Sequence, residues 1–573
     1  MTSALADEDA GAVGSAAHRG FVWDVLGLAA LTACLVGVHF AHAALLDPDE
    51  PRSAIVSRLM LERGDWLVPR LPAVFHHDYP NNPLEGDTFV YWDKPPLFFW
   101  LGAAAMKALG PAPAAIRLPS ALAHIGTVLL VYAAARMLWN RKAGLTAGAA
   151  MACAPVALAL AHVARMESLL AALTTLMLLA VLKLWSGVGR PWFWTAVLYV
   201  AAGLGVLTKG PVAVVLPAGA IVVTLLLVRR WGDGRRLRLL VGVVIMLAVA
   251  APWYVYMHLH YPPGSEGGGF SHAFFVSQHV ARATSEMYGH SNRLPGYLLG
   301  VVLLGFAPWS VFLPHACVRL LREGWRGRRG NPAVILLFAW AAVMLVAYSF
   351  SKTQMPHYVV PAIPPLAILL GGYMAERIAC GGRNRLFAVG MAMTVVIGWG
   401  TLAAVLIGLW QGGLWRHAYA VIALAMAGVL VAGTVVLVKR RWQACVGLLA
   451  AGTCLSAIFI FLADPLGIYE RLTTRHQAHL VERAVRPGDR VLAYPYVPYS
   501  FAWYLWPREI GIPANENALA TEMNRPARTF CIIMKKDAVP RLLAKARQPT
   551  EVLSPPHRPA VVVTNPGPAG AQQ

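Results

Sequence analysis

Charged residues are scarce in this chain. Only 13% of its 573 residues are Asp, Glu, Lys or Arg, whereas soluble globular proteins carry about 25%. Apolar residues make up 57% of the sequence, and they recur in runs of about 20, the length that spans a bilayer as a helix. The composition therefore excludes an ordinary soluble protein and predicts a polytopic membrane protein.

Three further absences narrow the function. The seven cysteines include no C-x-x-C pair and fall mostly within apolar runs, so we expect small packing residues rather than a disulfide framework or a metal site. No Walker-type P-loop occurs in the sequence, so nothing in it indicates ATP-driven transport. The net charge is +21, but no basic stretch alternates with aromatics on a soluble face, and nucleic acid is not expected as a partner.

The basic residues instead mark one side of a membrane. Basic loops remain on the cytoplasmic side, and about thirteen predicted spans place all the strongly basic loops there. All these loops fall on one side only if the short apolar segment 95–110 lies at the membrane interface as an amphipathic helix and does not cross the membrane. The basic loops lie at 139–142, 229–238, 319–330, 376–385 and 439–442. The predicted spans are 23–46, 118–138, 143–163, 168–188, 191–206, 210–228, 239–257, 297–317, 332–350, 358–375, 386–410, 418–438 and 443–463.

The predicted fold class is an all-α polytopic membrane protein with a small extracytoplasmic α/β domain at its C-terminus. The N-terminal tail, 1–22, is polar and acidic, unlike a secretory signal, so the first apolar run is expected to remain as an anchor. The membrane domain is expected at 23–463 and the α/β domain at 464–573. Two long outer loops, 47–117 and 258–296, interrupt the membrane domain.

The first outer loop begins with an unusual group of charges. In "AALLDPDEPR" an apolar run ends and Asp47, Asp49, Glu50 and Arg52 follow within a few residues. Asp47 is expected to be solvated. The next residues re-enter apolar sequence, which keeps Asp49 and Glu50 at the membrane surface, where ionisable groups usually mark a site.

Four other polar segments fall on the same predicted face. They are "YWDKPPLFFW" (91–100), "HVARMES" (162–168), "FFVSQHVARATSEMYGHSNR" (274–293) and "YSFSKTQMPHYVVPAIPP" (348–365). Together they supply a carboxylate and several cations beside those of the first loop. Such a set fits a phosphate-bearing lipid substrate with a carboxylate that works as a base.

These segments, in this order, resemble the integral-membrane glycosyltransferases with the GT-C fold. The resemblance is to the superfamily that joins protein mannosyltransferases to lipid A aminoarabinose transferases, and it runs from about residue 22 to 375. The matching blocks are "PDEPRSAIVSRLMLERGDWLVPRL", "WDKPPLFFW", "AIRLPSAL", "LTKGPVAVVLP", "APWYVYM" and "SKTQMPHYVVPAIPPLAILL". The match of "FFVSQHVAR" and the layout of thirteen spans and a tail favour the aminoarabinose transferases.

The resemblance implies roles for particular residues. Asp49 would be the catalytic base or orient the acceptor, and Glu167 would be a second catalytic carboxylate where many relatives carry aspartate. Lys94, Arg282 and Tyr358 would bind the donor phosphate. Supporting roles are expected for Glu50, Arg52, Asp93, His279, Lys352 and His357.

The implied activity is transfer of a sugar from undecaprenyl phosphate to lipid A or a related acceptor. The sugar would be 4-amino-4-deoxy-L-arabinose, and the site would face the periplasm from the inner membrane, among membrane lipids. Mannosyl transfer to protein or another glycolipid stays open, as does a transporter or flippase of an anionic lipid-linked sugar. No cofactor is expected, although His76, His77 and Asp78 in the segment 73–90 are candidates for a divalent metal site.

Overall fold

The structure is a computed structural model of the full chain. It describes residues 2–38, 40, 43–187, 189–265, 268–280, 296–327, 331–382, 384–411, 417–463, 472–554 and 558–564.

Helices form most of the described chain up to residue 463. They are α1 (Thr2–Gly37), α2 (Asp49–Arg63), α3 (Leu97–Leu109), α4 (Pro113–Leu138), α5 (Arg141–Ala152), α6 (Pro155–Ala161), α7 (Met166–Ser186), α8 (Pro191–Lys209), α9 (Val212–Val228), α10 (Gly232–Arg236), α11 (Leu239–His260), the π-helix α12 (His272–Val280), α13 (Tyr297–Gly305), α14 (Leu313–Gly327), α15 (Ala333–Ser349), α16 (Ile363–Ala379), α17 (Arg385–Gln411), α18 (His417–Val438) and α19 (Trp442–Ala463). Short 3₁₀ helices lie at Ala73–Asp78, Trp309–Phe312 and Pro356–Ala362.

The predicted fold class is confirmed: the chain is a multi-pass helical membrane protein with a small C-terminal α/β region. Within the described residues, nine helices are long and apolar enough to cross a membrane, or eleven if each of two bent pairs is one span. Two more predicted spans, 210–228 and 332–350, correspond to helices of 17 residues.

Two predicted spans are not continuous helices, and in the first of them, 143–163, α5 and α6 meet at a bend of 61°. The segment 297–317 contains α13, of nine residues, and then bends by 114° into Trp309–Gly327. Pro308 lies at the break and lacks the N–H that a continuing helix needs. The segment 95–110 contains the 13-residue helix α3, and its place at the interface stays a prediction.

The first outer loop folds into a compact unit. Helix α2 has Asp49 and Glu50 in its first turn, where the positive end of the helix dipole stabilises carboxylates. The helix is capped by Gly64, which has a positive φ of 69°. Three short antiparallel strands follow, in the order β1-β3-β2. They are β1 (Arg70–Pro72), β2 (Leu84–Glu85) and β3 (Thr88–Val90).

The C-terminal region is a four-stranded sheet covered by short helices. Its strand order is β4-β5-β7-β6, with β4 and β5 parallel and the other pairs antiparallel. The strands are β4 (Arg490–Tyr494), β5 (Thr529–Ile533), β6 (Thr550–Val552) and β7 (Ala560–Thr564), and the helices are Arg475–Ala484, Tyr499–Tyr504, Glu516–Met523 and Ala538–Lys545. The predicted α/β character is therefore present, and the exact domain boundaries stay predictions.

A buried ion pair joins the first loop to the membrane helices. Arg117 on α4 is fully buried, and its Nε and Nη2 atoms donate to the two carboxylate oxygens of Glu50, each at 2.8 Å. Glu50 also accepts from the backbone N–H groups of Leu46 (2.8 Å) and Ala164 (2.7 Å). Its carboxylate is thus held by four hydrogen bonds within the fold, and its supporting role at the site stays a prediction.

The remaining hydrogen bonds of the Arg117 guanidinium hold the segment of chain that leads into the same loop. Arg117 donates to the carbonyl oxygens of Ala43 at 2.9 Å and of Ala44 at 2.7 Å. The chain between α1 and α2 is therefore bound to α4 immediately before the acidic group begins.

Asp47 is not solvated, contrary to expectation. Its carboxylate accepts hydrogen bonds from the backbone N–H of Ser500, at 2.8 Å, and from the Ser500 hydroxyl. Burial raises the pKa of Asp47 to about 6, although the bonds from Ser500 act in the opposite direction. The neighbouring backbone is also bound to the C-terminal region, because the Leu45 N–H donates to the hydroxyl of Tyr504 at 2.9 Å. Asp47 is therefore an anchor for the C-terminal region.

The aromatic run at 494–506 packs against the first loop. Tyr499 stacks on Phe75 with ring centroids 4.1 Å apart, and the guanidinium of Arg58 lies over Trp503. The C-terminal region and the first loop consequently share one apolar core.

We predict that Arg117→Ala strongly destabilises the protein. The variant leaves the Glu50 carboxylate buried without its countercharge, and breaking a buried pair in this way typically costs about 3–5 kcal/mol. The midpoint of thermal unfolding in detergent should fall well below that of the wild type. The control is Arg63→Ala, because Arg63 pairs with Asp87 at the surface, and its midpoint should change little. Equal midpoints for the two variants would contradict a structural role for the Glu50–Arg117 pair.

Candidate functional site

Helix ends from four separate segments meet to form one group of ionisable side chains, which we call the charged cluster. Its members are Asp49, Arg52, Arg165, Glu167, Lys209 and His357. Glu167 lies in the first turn of α7 and Lys209 is the last residue of α8, so each charge suits the helix dipole at its position. The helix ends therefore bring these charges into direct contact with one another.

Asp49 lies between two arginines. Its carboxylate pairs with Arg52, one turn further along α2, and with the Nη2 of Arg165 at 2.9 Å. Burial raises the pKa of Asp49, but the charges of Arg52, Arg165 and Lys94 together outweigh it and hold the pKa below its usual range. Asp49 is therefore ionised at neutral pH.

Glu167 is the most deeply buried carboxylate of the cluster, with a side chain only 7% exposed. Its Oε1 lies 3.1 Å from Lys209 Nζ and 3.3 Å from His357 Nε2, and its Oε2 lies 3.4 Å from Arg165 Nε. Arg165 thus links the two carboxylates. Three elements that are distant in sequence meet at Glu167.

Two of the three predicted phosphate ligands, Tyr358 and Lys94, lie near this group. The ring of Tyr358 lies 5.1 Å from Lys209 Nζ and packs against Tyr348. Lys94 lies close enough to Asp49 to lower its pKa. Beside it, buried Asp93 accepts a hydrogen bond from Gln278 Nε2 at 2.7 Å, which connects the second outer loop to the "WDKPP" segment.

Some predicted residues fall elsewhere. Arg282 and the side chain of His279 lie outside the described residues. Lys352 is exposed, and the ammonium that meets Glu167 belongs to Lys209 instead.

The candidate metal ligands have other partners. His76 Nε2 lies 2.8 Å from the carbonyl oxygen of Asn82, and Asp78 accepts from the hydroxyl of Tyr499 at 2.9 Å. Across the part of the chain that the structure describes, no three His, Cys, Asp or Glu side chains group as metal ligands would.

Two members of the cluster had no predicted role. Arg165 lies in "HVARMES" and Lys209 in "LTKGP", both segments that the sequence places on the outer face. Each is a charged residue at the end of an apolar run, and this position is the sequence signal from which a role at the site could have been predicted. The pairing itself could not be predicted, because Lys209 is 42 residues from Glu167 in sequence.

The charge balance suits an anionic ligand. Lys94 and the three cations of the cluster, Arg52, Arg165 and Lys209, outnumber the carboxylates Asp49 and Glu167. In a partly buried setting such an excess of cations attracts phosphate and stabilises charge that develops on a leaving oxygen. The carboxylates can accept hydrogen bonds from hydroxyl or ammonium groups of a sugar.

The chain is similar to known membrane glycosyltransferases. The family described as dolichyl-phosphate-mannose-protein mannosyltransferase matches residues 93–256. Undecaprenyl phosphate-α-4-amino-4-deoxy-L-arabinose arabinosyl transferase 2 of Sodalis glossinidius is 28% identical over 360 residues, which are 61% of this chain and 60% of that protein. The arabinosyl transferase 1 of the same description from Pseudomonas fluorescens is 30% identical over 363 residues, 61% of this chain and 59% of that protein.

The fold match is more extensive. The crystal structure of ArnT from Cupriavidus metallidurans bound to undecaprenyl phosphate superposes with a TM-score of 0.76 at 23% identity, covering 96% of this chain and 99% of that one. The chain therefore has the fold of this transferase, and it is similar in sequence to the arabinosyl transferases. The resemblance expected from the sequence is thereby confirmed, whereas the sequence alignment spans only about 60% of the curated relatives' length.

We predict that Glu167 and Lys209 stabilise this GT-C fold as a pair. Glu167→Gln and Lys209→Met should each lower the midpoint of thermal unfolding, and the double variant should lower it by less than the sum. Charges in direct contact typically show coupling of about 0.5–3 kcal/mol. Arg63 and Asp87 form an exposed pair, and the same cycle there should show little coupling. Strict additivity at Glu167 and Lys209 would refute the pairing.

Proposed function

We propose that the protein transfers a sugar from a polyprenyl phosphate to a glycolipid, at the charged cluster. The donor is undecaprenyl phosphate carrying 4-amino-4-deoxy-L-arabinose, and the acceptor is lipid A or a related glycolipid. The site faces the periplasm from the inner membrane. The observation that supports this most directly is the meeting of two carboxylates and several cations at the ends of helices from a fold shared with a transferase that binds undecaprenyl phosphate.

The excess of cations fits the departure of the donor. Transfer breaks the bond between the anomeric carbon and the phosphate oxygen, and the electron pair stays on that oxygen. Lys94, beside Asp49, and Lys209, beside Tyr358, can stabilise the negative charge that develops there. The products are the glycosylated acceptor and undecaprenyl phosphate.

The low pKa of Asp49 favours one kind of acceptor group. A carboxylate held ionised by Arg52 and Arg165 is a weak base, so it suits an acceptor that needs little deprotonation. An anionic phosphate group on a glycolipid is such an acceptor: its oxygen forms the new bond to the anomeric carbon without losing a proton. Arg52 and Arg165 can then bind the remaining phosphate oxygens while Asp49 orients the sugar.

Glu167 provides the second carboxylate of the site. It is buried beside Lys209 and His357, so it is held in one position before substrate arrives. An aminosugar carries an ammonium group, and a preorganised carboxylate near the donor phosphate is a suitable partner for it.

A transporter of a lipid-linked sugar fits the geometry less well. Transport sites usually lie near the bilayer midplane, where discontinuous helices expose charges to a central cavity. Here Asp49 is the first residue of α2, Glu167 is the second of α7 and Lys209 is the last of α8. A protein acceptor is the remaining alternative, favoured by the mannosyltransferase family match. A hydroxyl acceptor of that kind would require Asp49 to act as a base.

We predict that Asp49→Asn abolishes most transfer. Loss of a group that orients a substrate typically reduces the rate by about 10²-fold. The test uses purified protein, undecaprenyl phosphate with labelled aminoarabinose, and lipid A, and it follows the label by thin-layer chromatography. Asp87→Asn, at a side chain that is 80% exposed, should transfer at the wild-type rate. Wild-type transfer by Asp49→Asn would refute the assigned role.

We predict that Lys94→Ala weakens donor binding. Loss of one charge-assisted hydrogen bond to phosphate should lower affinity for undecaprenyl phosphate roughly tenfold or more. The matched control is Lys107→Ala, because Lys107 is exposed in the last turn of α3. Binding can be followed by the change in tryptophan fluorescence on titration. Unchanged affinity for Lys94→Ala would remove Lys94 from the phosphate site.

A further inference from the structure

A second charged surface lies at the far ends of two helices that carry the charged cluster. Glu167 is near the start of α7 and Lys209 is the last residue of α8, whereas this surface is formed where α7 ends and α8 begins. Helix α7 has 21 residues, which makes it about 30 Å long, the thickness of a hydrocarbon core. The surface, which we call the basic surface, therefore lies on the opposite side of the membrane domain. Its arginines are Arg190, Arg229, Arg230, Arg235, Arg236 and Arg238.

The segment between α9 and α11 is bound to the adjoining ends of α7 and α8. Arg236 Nη1 donates to the carbonyl oxygen of Trp185 on α7 at 2.7 Å. Arg238 Nη1 donates to the hydroxyl of Thr195 on α8 at 3.1 Å. The arginines of residues 229–238 are therefore held beside the start of α8 on a folded segment, which fixes them as a group.

Most of the positive charge on the basic surface is not neutralised. Asp233 is the only carboxylate in residues 168–265, and it lies 2.8 Å from Arg230 and 3.7 Å from Arg236. Three further arginines are exposed and have no ion pair with any residue that the structure describes: Arg190, Arg229 and Arg235. An excess of cations of this kind attracts an anion, and a guanidinium can donate two parallel hydrogen bonds to a phosphate.

Exposed apolar side chains border the basic surface and indicate where that anion lies. Trp192 and Trp231 are 61% and 60% exposed, and Leu240 is 88% exposed. The Arg238 guanidinium lies 4.3 Å from the ring centroid of Trp192. Tryptophans at the ends of membrane helices typically lie at the level of the lipid headgroups. A phospholipid presents its phosphate at this depth and its acyl chains beside the exposed rings, whereas a soluble anion has no apolar part to cover them.

We propose that the basic surface binds the headgroup phosphate of an anionic phospholipid, in the leaflet opposite the charged cluster. Arg229 and Arg235 donate to the phosphate oxygens, and Arg190 adds positive charge beside them. Arg238 is positioned by its contact with Trp192. The surface takes no part in sugar transfer, so the proposal does not rest on the proposed function. It gives the protein a specific lipid contact on the side away from the charged cluster.

Native mass spectrometry of the purified full chain tests the location, with phosphatidylglycerol as the probe. The test variant combines Arg229→Gln with Arg235→Gln. The control combines Lys439→Gln with Arg441→Gln, because these side chains are exposed in another basic loop on the same predicted side and the change in charge is equal. All four substitutions replace exposed side chains, so both variants should unfold at the wild-type midpoint.

The test variant should bind phosphatidylglycerol about tenfold more weakly than the wild type, because each arginine at a lipid surface contributes severalfold to affinity. The control variant should bind as the wild type does. Equal weakening of both variants would overturn the proposal, since diffuse positive charge would then account for the binding. Unchanged affinity of the test variant would overturn it as well.

The chemical class of the ligand is tested with the wild type. Phosphatidylcholine carries the same phosphate beside a positive charge, and it should bind about tenfold more weakly than phosphatidylglycerol. Excess inorganic phosphate should leave phosphatidylglycerol bound. Equal affinity for the two lipids would overturn a site for anionic headgroups, and displacement by inorganic phosphate would overturn the assignment to a lipid in favour of a soluble anion. None of these measurements uses sugar transfer, so their failure is distinct from failure of the proposed function.

Discussion

The buried ion pair between Glu50 and Arg117 is the constraint on which the site depends. Arg117 fixes the chain that enters the first outer loop, and Glu50 accepts from the backbone of Ala164, the residue before Arg165. One carboxylate thus sets both the start of α2 and the approach to α7. Asp49 and Arg165 are the immediate neighbours of these anchored residues, so their contact follows from the position of the pair. A buried pair costs desolvation energy, and here that cost is offset by a complete set of hydrogen bonds.

The charged cluster begins beside this ion pair and continues through residues at the ends of other helices. Arg165 connects Asp49 to Glu167, and Glu167 in turn meets Lys209 and His357. Each member therefore restrains the next, which gives a site that is organised before a substrate binds. The same loop reaches outward through Asp47, whose bonds to Ser500 hold the C-terminal region beside the cluster. The acidic group at residues 47–50 consequently has three distinct roles: an anchor at Asp47, a site residue at Asp49 and a scaffold at Glu50.

Much of this could be predicted from the sequence, and the limits have a physical cause. Apolar runs indicated the helices, and polar residues at their ends indicated that Asp49, Glu167 and His357 share one face. Individual partners were not accessible, because Ser500 is 453 residues from Asp47 and Arg117 is 67 from Glu50. Local sequence at Asp47 resembles a solvated helix end, and only the distant domain that covers it makes it an anchor. The break between α13 and Trp309 was missed because the run 297–317 is apolar throughout its first half and hydropathy does not register a bend.

The position of a bound donor phosphate tests the central claim most directly. The claim is that the polyprenyl donor binds with its phosphate at the charged cluster. A cryo-electron microscopy map of the wild-type protein in nanodiscs with undecaprenyl phosphate would locate that group. The account predicts phosphate density within hydrogen-bonding distance of Lys94, beside Asp49. Phosphate density against helices remote from Asp49 and Glu167 would contradict it.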